Sequence, residues 1–361
     1  MTIPLFDTET PLAPLRGALQ ARLEAVLANG HYVLGPEVRA FEAELASYLG
    51  VRHVIGVANG TDAITIALRA LGIAPGDEVV LPAFTFYATA EAAVTAGARP
   101  VFCDVDADTR NVTVESVRAA LTARTRAIIA VDLFGSPAPV PELRQLGLPV
   151  LEDAAQAMGA TLAARKAGAL GDAATISFYP SKNLGCFGDG GAIATDDDEV
   201  AELARALRFH GSHDKQRFEY VGYNSRLDEL QAALLRVLLP ELDGWSDGRR
   251  AAAAAYADAG LAQHVELPVV LDSASPAWHL YVVTHDRADE LIPALAAQGV
   301  QSRAYYRTPL HRQPAMAPFV DGLTLPVTEA LARTNLALPM SPVLDGEQVG
   351  RVVAAVAAAS S

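Results

Sequence analysis

Short apolar runs recur between Val54 and Ala194, separated by segments with helical spacing of apolar side chains. The runs are Val54–Val57, Val79–Leu81, Pro100–Cys103, Ala127–Val131, Val150–Leu151, Thr175–Phe178 and Ala192–Ala194. This alternation of strand and helix predicts an α/β fold with a mostly parallel, seven-stranded sheet covered by helices on both faces. Ligands of such sheets bind beyond the strand ends. Two amphipathic helices are expected ahead of the sheet, near Leu15–Ala28 and Pro36–Leu49. The polar stretch His210–Tyr223 is expected to be a mobile loop that can cover a site. A long helix follows from about Leu227 toward Leu239, where Pro240 bends or breaks it. From about Trp245 the pattern changes to a smaller α+β unit. Its strand Leu280–Thr284 precedes a helix Asp289–Ala297, and a last helix covers Gly346–Ala359. The expected division is a large domain of residues 1–244, N-terminal arm included, and a small domain of residues 245–361. No internal repeat or low-complexity linker interrupts it.

Composition narrows the classes. The chain has 361 residues, 51% hydrophobic and 19% charged, enough for a large core and more than one domain. A net charge of −14 argues against a nucleic-acid surface, which is normally built from excess Lys and Arg. Neither a basic-then-apolar leader nor an apolar stretch of membrane-spanning length is evident, so a cytoplasmic location without membrane contact is expected. Cys103 and Cys186 make no disulfide framework and are too few to ligate an iron–sulfur cluster. His210 and His213 lack a third ligand at a plausible spacing, and Asp104 and Asp106 lack the glycine and glutamate of a calcium loop. No metal is expected.

Three segments carry candidate chemistry. Lys182 lies in a Pro-Ser-Lys turn directly after the apolar run that ends at Phe178, with a glycine cluster behind it. A lysine at a buried strand end loses solvation, and one with a lowered pKa becomes an amine nucleophile toward an aldehyde. A lone lysine in a turn is ordinarily a solvated one; the matching segments elsewhere change that. Asp153 ends the run at Leu151, where a carboxylate needs a cation partner. It also precedes Ala-Ala-Gln-Ala and suits a helix N-cap. Asn59-Gly60-Thr61-Asp62 stands between an apolar run and the periodic segment Ile64–Leu71. Strand, Gly-Thr and helix form a phosphate-binding arrangement, although a turn with a cap has the same composition.

Six strings in this order resemble the DegT/DnrJ/StrS family of pyridoxal phosphate-dependent aminotransferases, which act on nucleotide-linked ketosugars. They are Asn59-Gly-Thr-Asp, Pro82-Ala-Phe-Thr-Phe-Tyr-Ala-Thr-Ala, Glu152-Asp-Ala-Ala-Gln, Ser177-Phe-Tyr-Pro-Ser-Lys-Asn-Leu-Gly, Gly188-Asp-Gly-Gly and Gly222-Tyr-Asn-Ser-Arg-Leu-Asp-Glu-Leu-Gln-Ala-Ala. The resemblance runs from about Pro36 to about Gln313 and implies the fold type I architecture of aspartate aminotransferase.

By that resemblance Lys182 is the lysine that bonds covalently to pyridoxal phosphate and later shuttles the proton. Asp153 is the partner of the pyridine nitrogen, Gln156 stands near the ring hydroxyl, and Phe86 stacks on the ring. Gly60, Thr61 and Ser177 contact the phosphate. Asn224 reaches the phosphate of the neighbouring subunit's cofactor, which implies a homodimer with shared sites. Arg226, Tyr306 and His311 are implied substrate contacts; the Tyr305–His311 string suits equally a strand that ends in a proline turn. The implied reaction moves an amino group from glutamate or glutamine to a nucleotide-diphosphate-linked ketosugar. The Pro309-Leu310-His311 string leans toward a 3-keto acceptor. A cyclitol aminotransferase and a non-catalytic regulatory relative share much of this pattern. Asp132 departs from the histidine of many relatives, which bears on the substrate pocket. Lys182 argues against the dehydratase branch, which has histidine there.

Overall fold

The structure, a computed structural model, describes residues 2–360. In chain order the strands of the large unit are β1 (His53–Val57), β2 (Glu78–Pro82), β3 (Arg99–Cys103), β4 (Thr125–Val131) and β5 (Val150–Asp153). A short hairpin follows, β6 (Thr161–Leu162) with β7 (Arg165–Lys166), then β8 (Ala173–Ser177) and β9 (Gly191–Thr195). Seven of these make one sheet in the order β1-β9-β8-β5-β4-β2-β3. Every pair in it is parallel except those of β9, which runs antiparallel to both β1 and β8. The expected mostly parallel sheet is present.

Strand periodicity explains the two cores. Side chains of a strand point alternately to opposite faces. In β1, Val54 enters one apolar cluster while Ile55 and Val57 enter the other, and in β9 Ala192 and Ala194 are separated from Ile193 in the same way. The helices α1 (Arg16–Asn29) and α2 (Pro36–Leu49) cover the face that contains Val54. The opposite face is covered by α3 (Gly60–Ala70), α4 (Ala88–Thr95), α5 (Val114–Ala120), α6 (Val140–Arg144) and α7 (Asp198–Arg208). The next helix, α8 (Glu229–Leu238), joins α1 and α2.

Pro240 interrupts the chain after α8 with one 3-10 turn, Leu239–Glu241, and α9 (Leu242–Asp258) begins at once. The expected domain limit at residue 244 therefore falls inside a continuous helix. Beyond it, β10 (Ala274–Ser275) pairs with β6, and β11 (Tyr281–Thr284) pairs antiparallel with β12 (Asn335–Leu338). Around this ribbon lie α10 (Ala288–Ala297), α11 (Pro326–Thr334) and α12 (Gly346–Ser360). α10 and α12 share a third apolar cluster that also takes in Ile3 of the N-terminal arm, whereas Leu331 of α11 packs into the cluster of the large unit. Asp104 caps α11, accepting from Thr328 N at 2.8 Å and Val327 N at 3.1 Å. Among the described residues no helix is long and apolar enough to cross a membrane.

Candidate active site

Sheet register gathers the candidate residues at one edge. Val57 pairs with Gly191, Gly191 with Ser177, and Thr175 with Asp153, so the ends of β1, β8 and β5 lie side by side. The start of α3 is pressed onto this edge. A Cβ on Gly60 would lie 2.8 Å from Ser177 Cβ, and one on Gly191 would lie 2.5 Å from the Asn59 backbone. Only glycine permits both approaches. Asn59 caps α3, its Oδ1 accepting from Asp62 N at 2.8 Å, so the helix starts four residues before the expected Ile64. The N–H groups of Gly60 and Thr61 occupy the first turn, where a helix offers no acceptor, and the dipole's positive end points outward. Thr61 and Ser177 add hydroxyls, both partly exposed. Such an arrangement could hold an anion such as a phosphate.

Lys182 follows in the loop beyond β8, its N–H bonded to Tyr179 O at 2.8 Å. Burial pulls its ammonium down to about 8, against the opposing pull of the Asp153 charge. Asp153 ends β5, 5% exposed. No helix follows it. The chain makes a turn instead, and the cap reading is replaced by two side-chain contacts. Oδ1 accepts from Ala155 N at 3.2 Å and Oδ2 from Thr89 Oγ1 at 3.0 Å. Burial pushes the Asp153 carboxyl upward, while these bonds and the Lys182 charge hold it down. A carboxylate so placed is suited to pair with a protonated ring nitrogen.

An aromatic wall stands beside this pair. Phe86 is 54% exposed, with Tyr306 at 6.0 Å between ring centroids. Tyr306 stacks in turn on Phe134 at 6.4 Å. Gln156 ties the wall together, donating from Nε2 to Tyr306 Oη at 3.2 Å and accepting from Phe134 N at 2.7 Å. Burial pushes the Tyr306 phenol well up, so it stays protonated. Gly135 lies where the wall meets the small unit. A Cβ there would be 2.7 Å from His279 N and 3.0 Å from Gln156 O, at a φ of +94° that itself favours glycine.

The remaining candidates divide. Ser225 Oγ accepts from Ala58 N at 3.1 Å, fastening the Tyr223–Leu227 segment beside the start of α3. Ser225 and Leu227 are buried, whereas Asn224 is exposed and Arg226 partly so. Burial thus alternates along the segment, leaving Asn224 the more accessible of the two candidates. His311 does not join the group. Its side chain is buried against Glu329, with Nε2 and Oε1 3.0 Å apart. Asp132 is fully buried behind Asp153, its N–H bonded to Asp153 O at 3.0 Å. Glu152 beside it accepts three N–H bonds, from Gly168, Leu170 and Gly171. Burial and that neighbouring carboxylate raise the Asp132 carboxyl well above the usual range.

Thr89, His279 and Arg249 were not singled out by sequence reasoning. Thr89 closes the Pro82–Ala90 string and was findable there. His279 is buried, held neutral by desolvation and by the nearby Lys182 and Arg249 charges, and its ring stacks on Phe6 at 5.8 Å.

The chain is 45% identical over 98% of its length to dTDP-3-amino-3,4,6-trideoxy-alpha-D-glucose transaminase of Streptomyces venezuelae, covering 95% of that protein. It is 43% identical over 99% of its length to the pleiotropic regulatory protein of Geobacillus stearothermophilus, covering 98% of it. A DegT DnrJ EryC1 StrS aminotransferase crystal structure from Brucella abortus superposes with a TM-score of 0.95 at 40% identity, covering 99% of both chains. Residues 15–357 match the DegT/DnrJ/EryC1/StrS aminotransferase family itself. The chain belongs to this family of pyridoxal phosphate-dependent aminotransferases.

Proposed function

We propose that the protein transfers an amino group from glutamate or glutamine to the 3-keto carbon of a sugar carried on a nucleotide diphosphate. The observation that carries the proposal is Lys182, pulled down to about 8, standing within the electrostatic reach of the buried carboxylate of Asp153. The residues fit the cofactor: an anion site at Gly60, Thr61 and Ser177, a buried carboxylate and an exposed aromatic face. Bound pyridoxal phosphate supplies an aldehyde for the lysine and a ring that takes up an electron pair.

The chain does the rest. Gly60 and Thr61 N–H groups with the Thr61 and Ser177 hydroxyls hold the phosphate. Asp153, oriented by Thr89 and Ala155, would keep the ring nitrogen protonated, Gln156 would serve the ring hydroxyl and Phe86 would cover the ring. Lys182, as a neutral amine, removes the proton from the donor's α-carbon and later delivers a proton to the sugar carbon. Tyr306 and Arg226 are oriented toward substrate. His311 acts only indirectly, through the segment it anchors on Glu329.

The exposure of Asn224 and, in part, of Arg226 supports a homodimer in which each serves the partner's site. We assign residues 1–244 to a large cofactor-binding domain and 245–361 to a small one, joined through α9, and the enzyme to the cytoplasm. The Streptomyces relative's name supports a nucleotide-linked, 3-amino product. The name of the Geobacillus relative favours a second reading, a regulatory protein on the same fold. The joint presence of Lys182, Asp153, Gln156, Phe86 and Ser177 supports catalysis. A panel of nucleotide-linked 3- and 4-ketosugars and keto-inositols, incubated with glutamate and read by mass spectrometry, tests the proposal. An aminated 3-ketosugar is expected; amination of keto-inositol alone overturns the acceptor assignment.

A further inference from the structure

Arg249 is a buried cation without an anion. It lies on α9, 8% exposed, and donates from Nη1 to Trp278 O at 3.1 Å. Its Nε has no acceptor, and no carboxylate among the described residues lies within ion-pairing distance. A buried charge ordinarily has a partner. Arg208 has Glu42, and Arg236 has Glu37 and Glu44. Arg110 lacks a close carboxylate, yet Glu266, Asp108 and Tyr281 favour its charge. Nothing favours that of Arg249, which burial alone pulls down to about 10.

Its surroundings point to what is missing. Arg249 and Lys182 line the same small cavity, about 50 Å³, together with Phe6, Asp7, Asn183 and Met340. Asp7 is the one acid in this lining, and its Oδ1 is committed to the N–H groups of Glu9 and Thr10, at 3.1 and 2.9 Å. Asn183 donates to Ala277 O at 2.8 Å and leaves its own Oδ1 unpartnered. The neutral His279, covered by Phe6, adds no charge. A water needs roughly 10–15 Å³ of such space, so the cavity has room for a carboxylate group. The close approach of α9 that places Arg249 depends on its neighbour: a Cβ on Gly248 would lie 2.1 Å from Pro342 O.

We propose that Arg249 receives a carboxylate of the amino-acid donor in the cavity it shares with Lys182. Anchoring the carboxylate there holds the adjoining carbon toward the amine that takes its proton, and a planar guanidinium presents paired donors to the two oxygens. The proposal rests on the aminotransferase reading and extends it to the donor.

Two measurements on the holoenzyme test it without any sugar. The first is calorimetric binding of glutarate, a five-carbon dicarboxylate with no amine to react. The second is the change in cofactor absorbance driven by glutamate alone, titrated to saturation. Arg249→Gln is expected to weaken glutarate binding and to raise the half-saturating glutamate concentration, each by roughly tenfold to a hundredfold. The limiting rate should change less, and affinity for a nucleoside diphosphate should not change. Arg249→Lys keeps the cation and loses the fork, so it should be weakened about tenfold. It decides the matter should Arg249→Gln fail to fold. Wild-type glutarate and glutamate values in a folded, cofactor-loaded variant overturn the assignment of Arg249 alone. A wild-type enzyme whose cofactor spectrum neither glutamate nor glutamine ever alters overturns the aminotransferase reading with it.

Discussion

A lysine attacks an aldehyde only as the neutral amine, so the depressed value of Lys182 makes a kinetic prediction. Burial lowers the pKa, hence the neutral fraction grows as pH rises and is nearly complete about one pH unit above its half-way point, which lies at about 8. Capture of pyridoxal phosphate by cofactor-free protein should accelerate about tenfold per pH unit below that point and then level off. Stopped-flow absorbance measures it, and a rate still climbing to pH 10 would mark an ordinary, solvated lysine. Asp153→Asn keeps the shape and removes the charge. Turnover should fall by roughly two to four orders of magnitude, about 3–5 kcal/mol of barrier. Steady-state rates near wild type would return Asp153 to a turn-forming role. Both residues were legible because each ends an apolar run, where a charge has no reason to be. Thr89 lies inside a string already singled out, whereas His279 comes from elsewhere in the chain and approaches only through packing. His311 matched a string, but Glu329, which pairs with it, lies in a helix the string does not include.

Among the elements, the turn from β1 into α3 bears most on function. Its geometry depends on Gly191 across the sheet, where a Cβ would meet the Asn59 backbone at 2.5 Å. Gly191→Ala should cost about 1–3 kcal/mol of stability by overpacking. It should also weaken binding of pyridoxal phosphate more than that of phosphate-free pyridoxal. Gly17→Ala in α1 meets nothing within 4 Å and serves as the control, with stability raised by about 0.5–1 kcal/mol. Thermal melts and equilibrium titration read both; equal loss of both ligands would detach the turn from phosphate binding. The buried strands were legible from their apolar runs. The two-residue β6, β7 and β10 were not, since pairs so short carry no periodicity. Asn59 shifted the start of α3 because a cap is set by one side chain, which periodicity does not register.

At the scale of the whole molecule, Asn224 is exposed and Arg226 partly so, while Ser225 fastens their segment beside the start of α3. If each serves the partner, Asn224→Ala and Lys182→Ala chains should each be crippled alone and recover when mixed. Random pairing gives roughly half heterodimers with one intact site each, or about a quarter of wild-type sites. No recovery despite demonstrated subunit exchange would leave Asn224 in its own site. The central claim, that this fold transfers nitrogen and does not merely bind a nucleotide sugar, has a direct test. The enzyme is incubated with glutamate and, separately, glutamine, each carrying heavy nitrogen on its α-carbon, together with a nucleotide-linked 3-ketosugar, and the nitrogen of the product is followed by mass spectrometry. The account predicts a heavy amine on the sugar with wild-type protein and none with Lys182→Ala. Binding of the sugar nucleotide with no labelled product, or labelled product from Lys182→Ala, would contradict it.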